Sequence, residues 1–122
     1  MSRDYRKLKV FELAHSAVQE VYRLTETLPQ AEKYGLQSQI RRAAVSVATN
    51  IVEGCARTTE RDYLHFINIS FSSAAETGYL ISLAASLKFL DEEAAAGLQE
   101  KYDHIGRSLF NLSRSVSRHH DH

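Results

Sequence analysis

The stretch Leu36 to Gly54 reads L-Q-S-Q-I-R-R-A-A-V-S-V-A-T-N-I-V-E-G, and its pattern decides the fold. Ile40, Ala44, Val47 and Ile51 recur at steps of four and three, which places them on one face of a helix. Arg41, Val45, Ala48, Val52 and Cys55 make a second seam beside the first. A helix apolar on two faces is covered by more than one neighbour. Asn50 and Glu53 sit where a buried helix would have to find them partners.

Working outward, Val10, Ala14, Ala17, Val21, Leu24 and Leu28 form one seam of an earlier helix, which Pro29 stops. Gln30 to Gly35 is a connection, with Gly35 able to take positive φ. After the opening helix, Thr59 followed by Asp62 approximates a capping box for a third helix. That helix also carries two seams. One is Leu64, Ile67, Phe71, Ala74, Gly78, Ile81 and Ala85; the other is Phe66, Ile69, Ser73, Glu76, Leu80, Leu83 and Leu87. Asp91 caps a fourth helix that opens with Glu92 and Glu93 and has a single seam: Leu98, Tyr102, Ile105, Leu109, Leu112 and Val116. The pattern predicts one all-α domain over 1–122, with helices near 8–28, 36–56, 59–88 and 91–118. Short connections make it an antiparallel up-down-up-down four-helix bundle.

Composition agrees with such a domain. Of 122 residues, 43% are hydrophobic and 25% charged, with one Pro and five Gly, so turn punctuation is sparse. The formal net charge is zero, which gives the whole chain no bias toward nucleic acid or membrane. The lone Cys55 cannot form an intrachain disulfide. No run is apolar enough to span a bilayer and Met1 to Lys9 is not a signal segment, so the expected location is the cytoplasm.

One four-helix core needs about one seam per helix, so the spare seams of helices two and three predict self-association. The expected interface is Val45, Ala48, Val52, Phe66, Ile69, Ser73, Leu80 and Leu83. Wide apolar faces within a single bundle are the plainer alternative. Polar residues near these seams are expected to form a structural network of Arg41, Arg42, Asn50, Glu53 and Glu76. In it Glu76 pairs with Arg41 or Arg42, and Glu53 with Arg57 or Arg61.

No catalytic constellation stands out. Glu12 and His15 have the Glu-x-x-His spacing of di-iron bundles, and Asp62 with His65 nearly repeats it. The seams place both pairs away from the core, so neither metal nor cofactor is expected. The His119, His120 and His122 tail lacks an ordered shell for a metal. Cys55 near a helix C-terminus reads as a packing residue rather than a reactive thiol. No small-molecule substrate is inferred.

The topology sorts charge by end. The end holding the helix-one start, the two–three corner and the helix-four finish carries nine basic against five acidic residues, a net of +4. The opposite end carries three against seven, a net of −4. Helix dipoles account for the acids that open helix four and the arginines that close it, but not for cations at the helix-one N-terminus. A candidate nucleic-acid-binding rim is therefore Arg3, Arg6, Lys7, Lys9, Arg57, Arg61, Arg114 and Arg118, offered to RNA or DNA.

The run Tyr34 to Gly54 resembles the signature of four-helix-bundle proteins encoded in intervening sequences of bacterial 23S ribosomal RNA genes. The same family includes the accessory variability determinant of diversity-generating retroelements. Val10-Phe11, Val21-Tyr22, Leu28-Pro29 with Glu32, and Ser73 with Glu76 sit where that pattern has similar residues. The resemblance covers nearly the whole chain. It implies bundles assembled as a ring, typically a pentamer, with no enzyme activity. It implies a non-enzymatic scaffold or interaction protein, with a nucleic-acid-binding oligomer as the alternative.

Overall fold

In the computed structural model the described residues are 3–120, with side chains described through residue 116. Four helices in chain order are α1 (Lys9–Thr25), α2 (Leu36–Cys55), α3 (Glu60–Ser86) and α4 (Glu92–His120). Short 3-10 turns at Tyr5–Lys7 and Gln30–Glu32 precede α1 and α2. Among the described residues each helix packs on its two cyclic neighbours, and neither α1 and α3 nor α2 and α4 approach one another. The result is an all-α, square, antiparallel four-helix bundle.

The α1, α2 and α4 seams sit where periodicity puts them. Val10, Ala14, Ala17 and Val21 are buried on α1; Ile40, Ala44, Val47 and Ile51 on α2; Leu98, Tyr102, Ile105 and Leu109 on α4. The α3 seam is rotated from the expected one. Its centre is Tyr63, Ile67, Ser70, Ala74, Thr77, Ile81 and Ala84, while Phe71 turns outward. Two hydroxyls make the difference. Ser70 Oγ donates to Val47 O at 2.7 Å and Thr77 Oγ1 donates to Ser73 O at 2.7 Å. A hydroxyl bonded to a backbone carbonyl is buried at little cost.

Helix ends follow local chemistry. Thr59 Oγ1 accepts from Asp62 N at 3.1 Å, and Asp91 Oδ2 accepts from Ala94 N at 2.9 Å. α1 stops at Thr25, earlier than the expected Leu28, because Pro29 disfavours helical backbone in the residue before it. Thr27 and Leu28 instead donate to Leu24 O and Thr25 O in a tighter turn. Gly35 does not use positive φ; it sits at φ −104°, ψ −107°. The positive-φ residue among those described is Lys88, at φ 68°. Lys88 N donates to Ala85 O and Phe89 N to Ala84 O, both at 2.9 Å, which closes α3 in a Schellman motif.

Candidate functional site

Three surfaces hold the residues that the sequence singles out. The first is the α1 flank of α2. Arg41 Nε donates to Thr25 Oγ1 at 2.9 Å, and its Nη2 reaches Tyr22 O and Glu26 Oε2, each at 3.2 Å. The guanidinium stacks over the Tyr22 ring at 4.4 Å. Arg41 therefore buttons α1 to α2. This corrects the expected pairing of Glu76 with Arg41. Glu76 is on α3, which meets the other flank of α2, and Glu26 already holds the guanidinium. Val45, Ala48 and Val52 share this α1 flank, all half-buried. Val45 lies in a groove with Tyr22 and Thr49, and Val52 under the Arg3–Arg6 segment.

The second surface is the α2–α3 face. Ser46 Oγ and Ser73 Oγ are hydrogen-bonded at 2.8 Å, and Asn50 Nδ2 donates to Ser46 O and Ser46 Oγ at 2.8 and 2.9 Å. Arg57 donates to Glu53 at 3.0 Å and lies over the Phe66 ring at 4.5 Å. The polar residues thus divide into local bonds and do not form one network. Arg42 and Glu76 are exposed, and among the described residues neither has a hydrogen bond or ion pair. Of the expected interface, Ser73 and Leu80 are buried at 8% and 6% exposure, Ser73 bonded to Ser46 of α2 and Leu80 in the hydrophobic core. They offer no surface to a partner. Phe66, Ile69 and Leu83 are half-buried on the face itself.

The third surface is the basic end. Here the chain neutralises itself. Arg6 pairs with Asp4 at 2.9 Å, Arg57 with Glu53 at 3.0 Å, Lys9 with Glu12 at 3.7 Å and Arg3 with Glu60 at 3.8 Å. The Arg6 guanidinium and backbone N–H hold the Asp4 carboxyl below its usual range. Arg3 also donates its backbone N–H to Cys55 O at 2.8 Å and stacks over Tyr63 at 3.8 Å. Lys7, Arg61 and Arg114 remain exposed, the last lying 5.6 Å from the Phe110 ring. Arg118 and the terminal histidines lie outside the described side chains.

Little in these surfaces suggests chemistry. Glu12, His15, Asp62 and His65 are all exposed, and His15 is hydrogen-bonded to Gln19 at 3.1 Å. Among the described residues, no three of His, Cys, Asp and Glu are grouped to hold a metal ion. Cys55 is buried, and burial pushes its thiol above the ordinary value, away from the reactive thiolate. No helix among the described residues is long and apolar enough to cross a membrane.

A further surface escaped sequence reasoning. Between α3 and α4 a groove of about 580 Å³ is lined by Phe71, Ala75, Tyr102, Asp103, Gly106, Arg107 and Phe110. Phe71 and Phe110 are 39% and 48% exposed, with ring centroids 6.1 Å apart. Periodicity places Phe71 in a core seam, and Phe110 lies one residue off the α4 seam. The rotation of α3 is what brings them together.

The architecture is that of an all-α bundle, and the residues that the sequence singles out lie along its surfaces. The chain belongs to the family of 23S rRNA-intervening sequence proteins, whose family model matches residues 6–111. It is also similar to the crystal structure of a protein of unknown function from the S23 ribosomal protein family of Bacteroides thetaiotaomicron VPI-5482. That likeness has 21% identity and a TM-score of 0.80, covering 86% of this chain and 95% of that one. At this identity it is a likeness of fold. No curated protein matches the sequence. Neither the family nor the structural neighbour points to an enzyme class.

Proposed function

We propose that this protein is a homo-oligomeric, non-enzymatic scaffold or interaction protein of the cytoplasm, assembled as a ring. The observation that carries the reading is apolar surface left over after the bundle core is filled. Val45, Val52, Phe66, Ile69 and Leu83 are buried only in part on α2 and α3. They fall on two different flanks of α2, which suits a ring, because head-to-tail closure uses two different patches per subunit. The family resemblance points to five subunits. Light scattering with native mass spectrometry tests this directly. A mass of about five chains is expected at micromolar concentration, and a monomer would sink the reading.

A second reading, nucleic-acid binding by the basic rim, rests on exposed Lys7, Arg61 and Arg114 at one end. The ion pairs of Arg3, Arg6, Lys9 and Arg57 reduce the charge available to phosphates. A mobility shift with RNA and duplex DNA at two salt concentrations separates the readings. Binding that weakens steeply with salt supports the rim, and no binding at low salt removes it.

A further inference from the structure

We infer that the α3–α4 groove of one copy receives the α2–α3 face of the next, with Asp103 meeting Arg42 and Arg107 meeting Glu76 across the contact. This rests on the oligomer reading above, but takes the α3–α4 groove, in place of the α1 flank of α2, as the second of the two patches.

The first argument is angular. The bundle is square, so the outward directions of its α2–α3 and α3–α4 faces differ by about 90°. A subunit in a closed ring meets its two neighbours along directions about 90° apart for four subunits and about 108° apart for five. Two adjacent faces of this bundle therefore close a small ring, with the helix common to both, α3, turned toward the axis. Opposite faces would give an open filament instead.

The second argument is charge and height. Asp103 and Arg107 flank the groove one turn apart on α4 and are both exposed. Glu76 stands exposed on the α2–α3 face, and Arg42 on the outer edge of α2, where it also borders the groove of Tyr22 and Val45. Among the described residues none of the four has a hydrogen bond or ion pair. Cyclic symmetry keeps every residue at one height along the ring axis, so partners across the contact must lie at matching levels. Two bonds set the levels: Ser46 to Ser73 joins α2 to α3, and Ser113 to Asn68 joins α3 to α4. At 1.5 Å per residue above Asn68, Asp103 lies at about 15 Å and Arg42 at about 13.5 Å. Arg107 lies at about 9 Å and Glu76 at about 12 Å on the same scale. Asp103 on α4 thus comes level with Arg42 on the facing α2, while Arg107 and Glu76 differ by about 3 Å in height and reach one another diagonally between α4 and α3. Ile69, at about 1.5 Å, comes level with the lower part of the groove, where Phe71 and Phe110 lie at about 4.5 Å.

The experiment reverses charges. Arg42→Glu and Asp103→Arg are made singly and together, with far-UV circular dichroism to check helix content and native mass spectrometry to read assembly. All the side chains changed are exposed, so the folded bundle should survive. Each single reversal puts like charges in contact and should weaken assembly by at least about tenfold, moving the population to smaller species. The double reversal restores opposite charges and should restore the ring. A wild-type ring untouched by the single reversals, or not restored by the double, overturns this contact and leaves the oligomer standing. A wild-type monomer overturns the oligomer reading itself, and this contact with it.

Discussion

The α2–α3 corner and the α3–α4 turn do the same job by different means. Each reverses the chain between two long helices. At the α2–α3 corner the helices are drawn together by close contact. A Cβ placed on Gly54 would stand 3.2 Å from Phe66 Cβ and 3.3 Å from Tyr63 O. Cys55 and Tyr63 are buried beside it, and Arg3 closes the site from outside. The α3–α4 turn has no wedged glycine, and Phe89 and Leu90 pack toward the core behind it. It holds its shape through backbone conformation, with Lys88 in the left-handed region and Lys88 Nζ on Glu92 at 3.1 Å in solvent. One reversal is stabilised by close packing, the other by Schellman bonds that hold a strained residue in place.

That difference predicts opposite responses to glycine chemistry. Gly54→Val should be the largest change, because the contacts a side chain meets there are a Cβ and a backbone oxygen, neither of which can swing away. The expected loss is about 2–3 kcal/mol, read as a lowered midpoint in urea. Gly97→Ala on α4 is the control. A Cβ there meets nothing within 4 Å, so helix propensity alone should act, for a gain of about 0.5–1 kcal/mol. Equal effects at both positions would show that the corner is not tightly packed.

At the other reversal the sign turns over. Lys88→Gly removes a left-handed penalty of about 1–2 kcal/mol and adds part of glycine's entropy cost, for a net gain of about 0.5–1 kcal/mol. The exposed Lys88–Glu92 pair that is lost contributes little. A thermal melt that shows no gain would mean the strain is already relieved, and the contrast between the two turns would disappear.

These two regions also differ in how legible they were. The helix-two signature gave the fold because Ile40, Ala44, Val47 and Ile51 are apolar at helical spacing, and packing follows that signal. Thr59 and Asp91 were readable as caps because capping is local. The α3 register was not readable, since Ser70 and Thr77 look polar until their carbonyl partners are known. The same blindness hid Thr25, which is 1% exposed and links Val21 O to Arg41. It also misplaced the candidate surfaces. An antiparallel hairpin brings Glu76 near the level of Arg41, but a level does not say which flank of α2 carries Arg41. Lys88 lay beyond reach for another reason: nothing about a lysine announces positive φ. Surfaces for a second copy are harder still to read, because residues such as Arg42 and Asp103 stand without partners among the described residues only after the chain has satisfied the others.

The smallest expected effect is confined to the α2–α3 corner. Burial raises the Cys55 and Tyr63 pKa values, because it disfavours their charged forms. Both groups are neutral when protonated, so the folded state binds protons more tightly than the unfolded one. Their contribution is complete below the unfolded thiol value of about 8.5 and is lost as pH rises through the raised folded values. Melting temperature should therefore fall between about pH 8 and pH 10. Cys55→Ala should lower stability throughout by leaving a small cavity, yet flatten that decline. The α3–α4 turn contains no buried acid of this kind, so Lys88→Gly should shift the whole curve upward without changing its slope. An unchanged slope in Cys55→Ala would place the alkaline sensitivity with the tyrosines, and comparison with Tyr63→Phe would then show whether the corner is responsible at all.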